Sequence, residues 1–141
     1  MNFTTRIRIA RPIGDVFALA ADPLRYPRWN SAVQSVRALS GRGDVGSTYV
    51  MERRLPSGRA ENELEVLARE EPDAFVIRTT SGPTPFVYRY RFARDGDGTE
   101  VQLDATVELG GVAAMLGPLA AGAVKRGVDA NLATLRQLLE A

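Results

Sequence analysis

The chain contains no cysteine and no histidine. Without cysteine there is no disulfide and no thiol nucleophile. Without histidine the sequence lacks the side chain whose ordinary pKa lies nearest neutral pH. A serine–histidine pair is excluded, and so are the usual nitrogen and sulfur ligands of zinc. Any acid–base chemistry falls to Asp, Glu, Tyr, Lys or Arg, or to a bound substrate. Lysine is nearly missing as well: Lys125 is the one lysine among 18 basic residues. Set against 17 acidic residues, these leave a net charge of +1. That is too little for the electrostatic footprint of a nucleic-acid partner, and none is expected.

Long apolar runs are lacking too. The best stretch, Gly110 to Val124, is short and rich in glycine, so no integral membrane segment is expected. The opening MNFTTRIRIA carries charges where the apolar core of a signal peptide would lie. The expectation is a cytoplasmic protein. A length of 141 residues, 45% of them hydrophobic and 25% charged, fits one globular domain over residues 1–141. No repeat or linker divides it.

What is present begins with alternation. In Asn2 to Ala10, Phe3, Thr5, Ile7 and Ile9 fall on one face and Thr4, Arg6 and Arg8 on the other, the mark of a strand wetted on one side. Pro12 suits the start of a short helix whose apolar side is Val16, Phe17, Leu19 and Ala20. Asp22-Pro23 ends it, and a helical turn follows over Pro23 to Arg28.

Strands are then expected over Ala32 to Leu39, Gly46 to Leu55, Arg59 to Arg69, Ala74 to Ser81, Phe86 to Arg94 and Thr99 to Leu109. Turn signals separate them, the clearest being Asp95-Gly96-Asp97-Gly98, because Asp-Gly tolerates positive φ. Apolar faces collect Leu64 and Val66, Phe75 and Ile77, Phe86, Tyr88, Tyr90 and Phe92, and Val101, Leu103, Ala105 and Val107. The opposite faces carry Glu61, Glu63, Glu65, Arg78, Arg89, Arg91, Glu100, Gln102 and Asp104. In a meander order these charges alternate in sign across strands and read as a solvated outer face.

From Met115 the period becomes helical. Leu116, Leu119, Ala123, Val128, Leu132, Leu135 and Leu139 form a stripe that Val124 and Leu138 widen. This predicts one terminal helix of about six turns or more, covered along its stripe by the apolar face of the sheet.

Three segments carry a resemblance: RIRIARPIGDVFALAADPLRYPRWN, YRYRFARDGDGTEVQL and VKRGVDANLATLRQLLE. With the element order, they resemble the START-like superfamily, also called SRPBCC or polyketide cyclase/dehydrase-like. The resemblance implies an α+β helix-grip fold. In it a curved antiparallel sheet of about six to seven strands holds a long C-terminal helix, with two short helices after the first strand. It implies an apolar cavity between sheet and helix. The superfamily includes lipid and sterol carriers, aromatic polyketide cyclases, hormone receptors, plant allergens, quinone-binding proteins and co-chaperones, so membership gives a cavity and not a reaction.

Candidate residues follow from parity. Tyr88 and Tyr90 point inward with Phe86 and Phe92, each offering an apolar ring and a hydroxyl; they read as ligand contacts or as core residues with hydroxyls at the rim. Tyr49, Met51 and Arg53 share a parity; facing inward, Arg53 is a fixed cation suited to a carboxylate or enolate. A slip of one residue would turn Val50 and Glu52 inward instead. Asn62 and Thr79 are inward polar candidates beside Leu64 and Ile77. Trp29 reads as a core anchor or a cavity wall, and Asn30 as a turn residue or a polar contact. Gly117, Ala120, Ala121, Gly122, Ala123 and Gly127 leave room for a ligand or let helix and sheet pack closely. The expected ligand wall is Trp29, Tyr49, Met51, Asn62, Leu64, Phe75, Ile77, Thr79, Phe86, Tyr88, Tyr90, Leu103, Leu116 and Ala120.

Gly41, Gly43 and Gly46 spell GxGxxG but lie between strands with no helix after them, so no dinucleotide is read there. No cofactor and no metal is expected. The leading functional expectation is binding of a hydrophobic small molecule, aromatic or polyketide-like, with one or two oxygen groups. The alternatives are a cofactor-independent cyclase or dehydratase using Tyr88, Tyr90 and Arg53, and a protein-interaction or co-chaperone-like module. The module would show a filled core and an exposed apolar patch. A homodimer is compatible with the sequence, which names no interface residue.

Overall fold

The computed structural model describes residues 1–141, apart from the side chain of Val112. Seven strands form one antiparallel sheet in the order β1-β7-β6-β5-β4-β3-β2. They are β1 (Asn2–Ile9), β2 (Val33–Ser40), β3 (Thr48–Leu55), β4 (Gly58–Glu70), β5 (Ala74–Ser81), β6 (Phe86–Asp95) and β7 (Gly98–Val107). Helix α1 (Ile13–Ala20) and a 3-10 helix (Pro23–Arg28) follow β1; α2 (Gly111–Leu116) and α3 (Pro118–Glu140) close the chain. The fold is the α+β helix grip.

Parity decides the faces. Leu64, Val66, Phe75, Ile77, Phe92, Val101 and Leu103 are buried on the inner face, where Phe17 of α1 meets Phe92 edge-on at 5.4 Å. Tyr49, Met51 and Arg53 share this face: Tyr49 stands opposite Leu64 and Met51 opposite Asn62. Outside, Arg78 pairs with Glu65 at 2.9 Å and Arg89 lies opposite Asp104, which is the charge alternation of a meander. A register shift between Val66 and Ala68 leaves Leu67 exposed. A bulge of this kind re-aims the residues after it. Arg69 thereby joins Phe75, its register partner, and its guanidinium lies 5.0 Å from the centre of the Phe17 ring.

The terminal helix differs from the expectation. Gly117 adopts φ +52 and Pro118 follows, so the helical run breaks into α2 and α3. Positive φ and a residue without an N–H both interrupt an α-helix. The stripe is fully buried only at Leu132 and Leu135, with Val124, Val128 and Leu139 partly buried against the core. Met115 is 86% exposed and Leu119 74%. Leu116 and Leu138 are exposed as well. The sheet therefore does not cover the first third of the predicted stripe.

Among the described residues, no helix is long and apolar enough to cross a membrane.

Candidate functional site

The 3-10 helix begins with Asp22, whose carboxylate accepts a hydrogen bond from the Leu24 N–H at 3.1 Å. Pro23 and Pro27 restrict the turn, and it places Tyr26 and Trp29 against the inner face of the sheet. Both are buried. They border a cavity of about 330 Å³ between this turn, the sheet and α3. From the sheet come Met51, Arg53, Phe86, Tyr88, Tyr90 and Val107; from α3 come Ala123, Val124, Gly127, Val128 and Asn131. Asn30, Ala32, Arg54, Leu55, Pro56 and Thr84 complete the wall.

The small residues of α3 now have a place. Ala123 and Gly127 are on the wall, and a Cβ added at Gly127 would meet no atom within 4 Å. Gly122 instead lies against its own helix neighbour Arg126.

The wall is apolar with a few donors. Phe86 and Tyr88 are stacked at 4.3 Å, and Tyr88 meets Tyr90 edge-on at 6.4 Å. The Tyr26 hydroxyl and the Trp29 indole N–H are buried without a hydrogen-bond partner among the described residues. Such groups are rare, because a buried polar atom left unpaired costs about 1–3 kcal/mol.

Burial also governs the phenols. It raises the pKa of Tyr26, and neighbouring Tyr49 and Tyr88 push it further. It raises Tyr90, again with Tyr26 and Tyr88 adding to it. It lifts Tyr88 to about 12, against the pull of the Arg53 charge. All three phenols are therefore protonated donors at neutral pH. Burial lowers the pKa of Arg53, and Tyr88 works against that shift. The Arg53 side chain is pinned: Nε donates to Asn62 Oδ1 at 2.8 Å, and Nη2 donates to the carbonyls of Pro83 at 2.8 Å and Thr84 at 3.3 Å.

A sequence profile described as "Polyketide cyclase / dehydrase and lipid transport" matches residues 1–140. The chain belongs to this polyketide cyclase/dehydrase family. No curated protein sequence matches it. Solved structures share its fold at low identity. A Thermus thermophilus protein has a TM-score of 0.83 at 18% identity, over 97% of this chain and 95% of that one. A START superfamily protein from Mycobacterium smegmatis has a TM-score of 0.79 at 15% identity, over 99% and 97%. The di-domain ARO/CYC BexL of the BE-7585A biosynthetic pathway has a TM-score of 0.76 at 22% identity, over 100% of this chain and 50% of that one.

Within this family member, the cavity gathers Trp29, Asn30, Met51, Arg53, Phe86, Tyr88, Tyr90, Ala123 and Gly127 from the residues singled out in the sequence. Others have different places. Leu64, Phe75, Ile77 and Leu103 are buried in the core and do not line the cavity. Tyr49 borders a separate hollow with Arg69, Asp22 and Gly43. Asn62 is wholly buried and acts behind Arg53. Thr79 Oγ1 accepts from the Phe86 N–H at 3.0 Å, and it stays off the wall. Leu116 is exposed, and Ala120 lies one helical turn short of the lining residues of α3. Tyr26 and Asn131 also line the cavity without having been singled out, and Val124, read only as part of the helical stripe, joins them. Tyr26 follows from the Asp-Pro turn it shares with Trp29; the α3 positions depend on how far the helix reaches across the sheet, which periodicity does not encode.

Among the described residues, no group of three or more Asp, Glu, His or Cys side chains could hold a metal ion.

Proposed function

We propose that this family member binds a hydrophobic small molecule, aromatic or polyketide-like and bearing oxygen, in the cavity between the sheet and α3. The observation that carries this is a largely apolar cavity whose wall includes Tyr26 and Trp29, two residues whose donors, the Tyr26 O–H and the Trp29 N–H, are buried without a partner among the described residues. Both atoms are closed off from a water-sized guest as the rings stand; a small turn of either ring would let a ligand oxygen accept from it and relieve the desolvation cost. The cavity's volume of about 330 Å³ lies at the lower end of the range for small-molecule sites, about 300–1,000 Å³. The stacked Phe86 and Tyr88 rings suit a flat ligand face.

A second reading, a cyclase or dehydratase without a cofactor, draws on Tyr88 and Arg53 standing on one wall. A phenol donor and a cation together suit a developing enolate oxygen. It ranks second because no carboxylate lines the cavity among the described residues, leaving donors in plenty and no evident proton acceptor.

The test is native mass spectrometry of freshly purified protein, followed by denaturing extraction and titration with aromatic ketones and acids. The expected result is a retained or titratable hydrophobic compound bearing oxygen. A bare-chain mass together with no affinity across the panel would sink the proposal.

A further inference from the structure

Three arginines are partly buried: Arg11, Arg53 and Arg69. Arg11 pairs with Asp15 at 2.6 Å and Arg69 reaches Glu71 at 3.8 Å. Arg53 has no carboxylate within salt-bridge reach among the described residues. Instead Asn62, itself wholly buried, takes its Nε, and two loop carbonyls take its Nη2. Asn62 is fixed in turn, since its Nδ2 donates to the carbonyls of Ser81 at 3.1 Å and Pro83 at 2.8 Å. The guanidinium carbon lies 5.6 Å from the centre of the Phe86 ring. Nη1 takes no part in these bonds.

Charge on the wall is one-sided. Among the described residues, Arg53 and Arg54 are its only charged residues, both positive, in a chain whose net charge is +1. A half-buried cation without a counter-ion is costly unless one arrives. Neutral partners that hold it rigidly prepare it for a planar oxyanion, which a guanidinium recognises better than an ammonium.

We infer that the ligand of this cavity is an anion, a hydrophobic molecule whose carboxylate binds Arg53, with Asn62 as the residue that positions the guanidinium. This rests on the cavity-binding proposal and adds the charge of the ligand. The apolar body lies along Phe86, Tyr88 and Met51.

The test is isothermal titration of the wild-type protein with 2-naphthoate and with 2-naphthamide at neutral pH, repeated with Arg53→Gln and Arg53→Lys. Acid and amide have nearly one shape and differ in charge. The wild type is expected to bind the acid at least about tenfold more tightly, as one charge-assisted hydrogen bond allows. Arg53→Gln should abolish that preference and leave amide affinity within about twofold, and Arg53→Lys should restore part of it. Equal affinity of acid and amide for the wild type overturns the anion inference and leaves the cavity proposal standing. Binding of neither ligand overturns the anion inference, and the cavity proposal falls with it only if the native mass is also that of the bare chain and the wider panel shows no affinity. Equal loss of acid and amide in Arg53→Gln, with a lower melting temperature, would make Arg53 a staple of the β5–β6 loop and overturn the inference. The wild-type comparison needs no variant to fold.

Discussion

Trp29 meets Tyr26 edge to face, with ring centroids 5.5 Å apart and planes at 82°. The Trp29 N–H of the backbone also donates to the Tyr26 carbonyl at 3.1 Å, so the turn that spaces the two rings is itself hydrogen-bonded. One short helix thus delivers both unsatisfied donors of the cavity as a fixed pair. Left unpaired, the two donors cost the protein stability.

Tyr26→Phe removes one of these donors and keeps the ring. The empty protein should hold its stability or gain, by up to about 1–3 kcal/mol, the penalty of an unpaired buried polar atom. Affinity for an oxygen-bearing ligand should fall about fivefold to tenfold. Thermal denaturation and isothermal titration check both halves. A marked loss of stability would mean that the hydroxyl has a bonded partner in the folded protein.

The broken terminal helix makes a paired prediction. Leu132→Ala should cost about 2–5 kcal/mol, the usual range for a truncated core leucine, because Leu132 is buried. Leu119→Ala, at a position 74% exposed, should stay within about 0.5 kcal/mol. Urea denaturation of the two variants decides it; similar losses would mean that the sheet covers the whole stripe.

Gly127 separates helix propensity from cavity volume. Gly127→Ala should raise stability by about 1 kcal/mol, since the added Cβ meets nothing within 4 Å, and binding should change little. Gly127→Leu extends into the cavity and should reduce ligand affinity at least about tenfold. Melting temperature and titration report the two effects separately.

Asp104 ties the edge strand β1 to β7. The Thr4 hydroxyl donates to its carboxylate at 2.6 Å, and this bond, aided by Gln102 and by the charges of Arg91 and Arg6, holds its pKa below the ordinary 3.8. A carboxyl depressed by folding contributes its stability in full above the ordinary value and loses it as pH falls through the folded value. Asp104→Asn should therefore be slightly less stable than the wild type at neutral pH. The gap should close as pH falls from about 4 toward 2. Denaturation midpoints measured across that window check the sign; a gap that widens toward acid would contradict it.

Alternation made most of the sheet readable. Phe86, Tyr88, Tyr90 and Phe92 announce an inner face at every second residue, and Val101 to Val107 repeat it on the neighbouring strand. The Asp-Gly turn fixed their register, with Asp95 opposite Gly98. Arg69 escaped, because the bulge near Leu67 reverses parity and leaves no mark in a hydrophobic pattern. Leu116 and Leu119 misled in another way. Helical spacing shows that a stripe exists, but not how much of it a sheet of finite width can cover. The wall of the cavity was half legible for the same reason: strand parity separates inside from outside, yet it does not distinguish Leu64, packed in the core, from Tyr88, which faces the void.

A protein with one indole usually reports on its fold as a whole. Here the single tryptophan of the chain, Trp29, borders the cavity with its N–H unbonded. On the proposed reading of the cavity, its emission becomes an optical gauge of occupancy. A ligand oxygen accepting from the indole would shift the emission to the red, and a purely apolar guest would leave it blue. The native chain therefore needs no label for screening compounds.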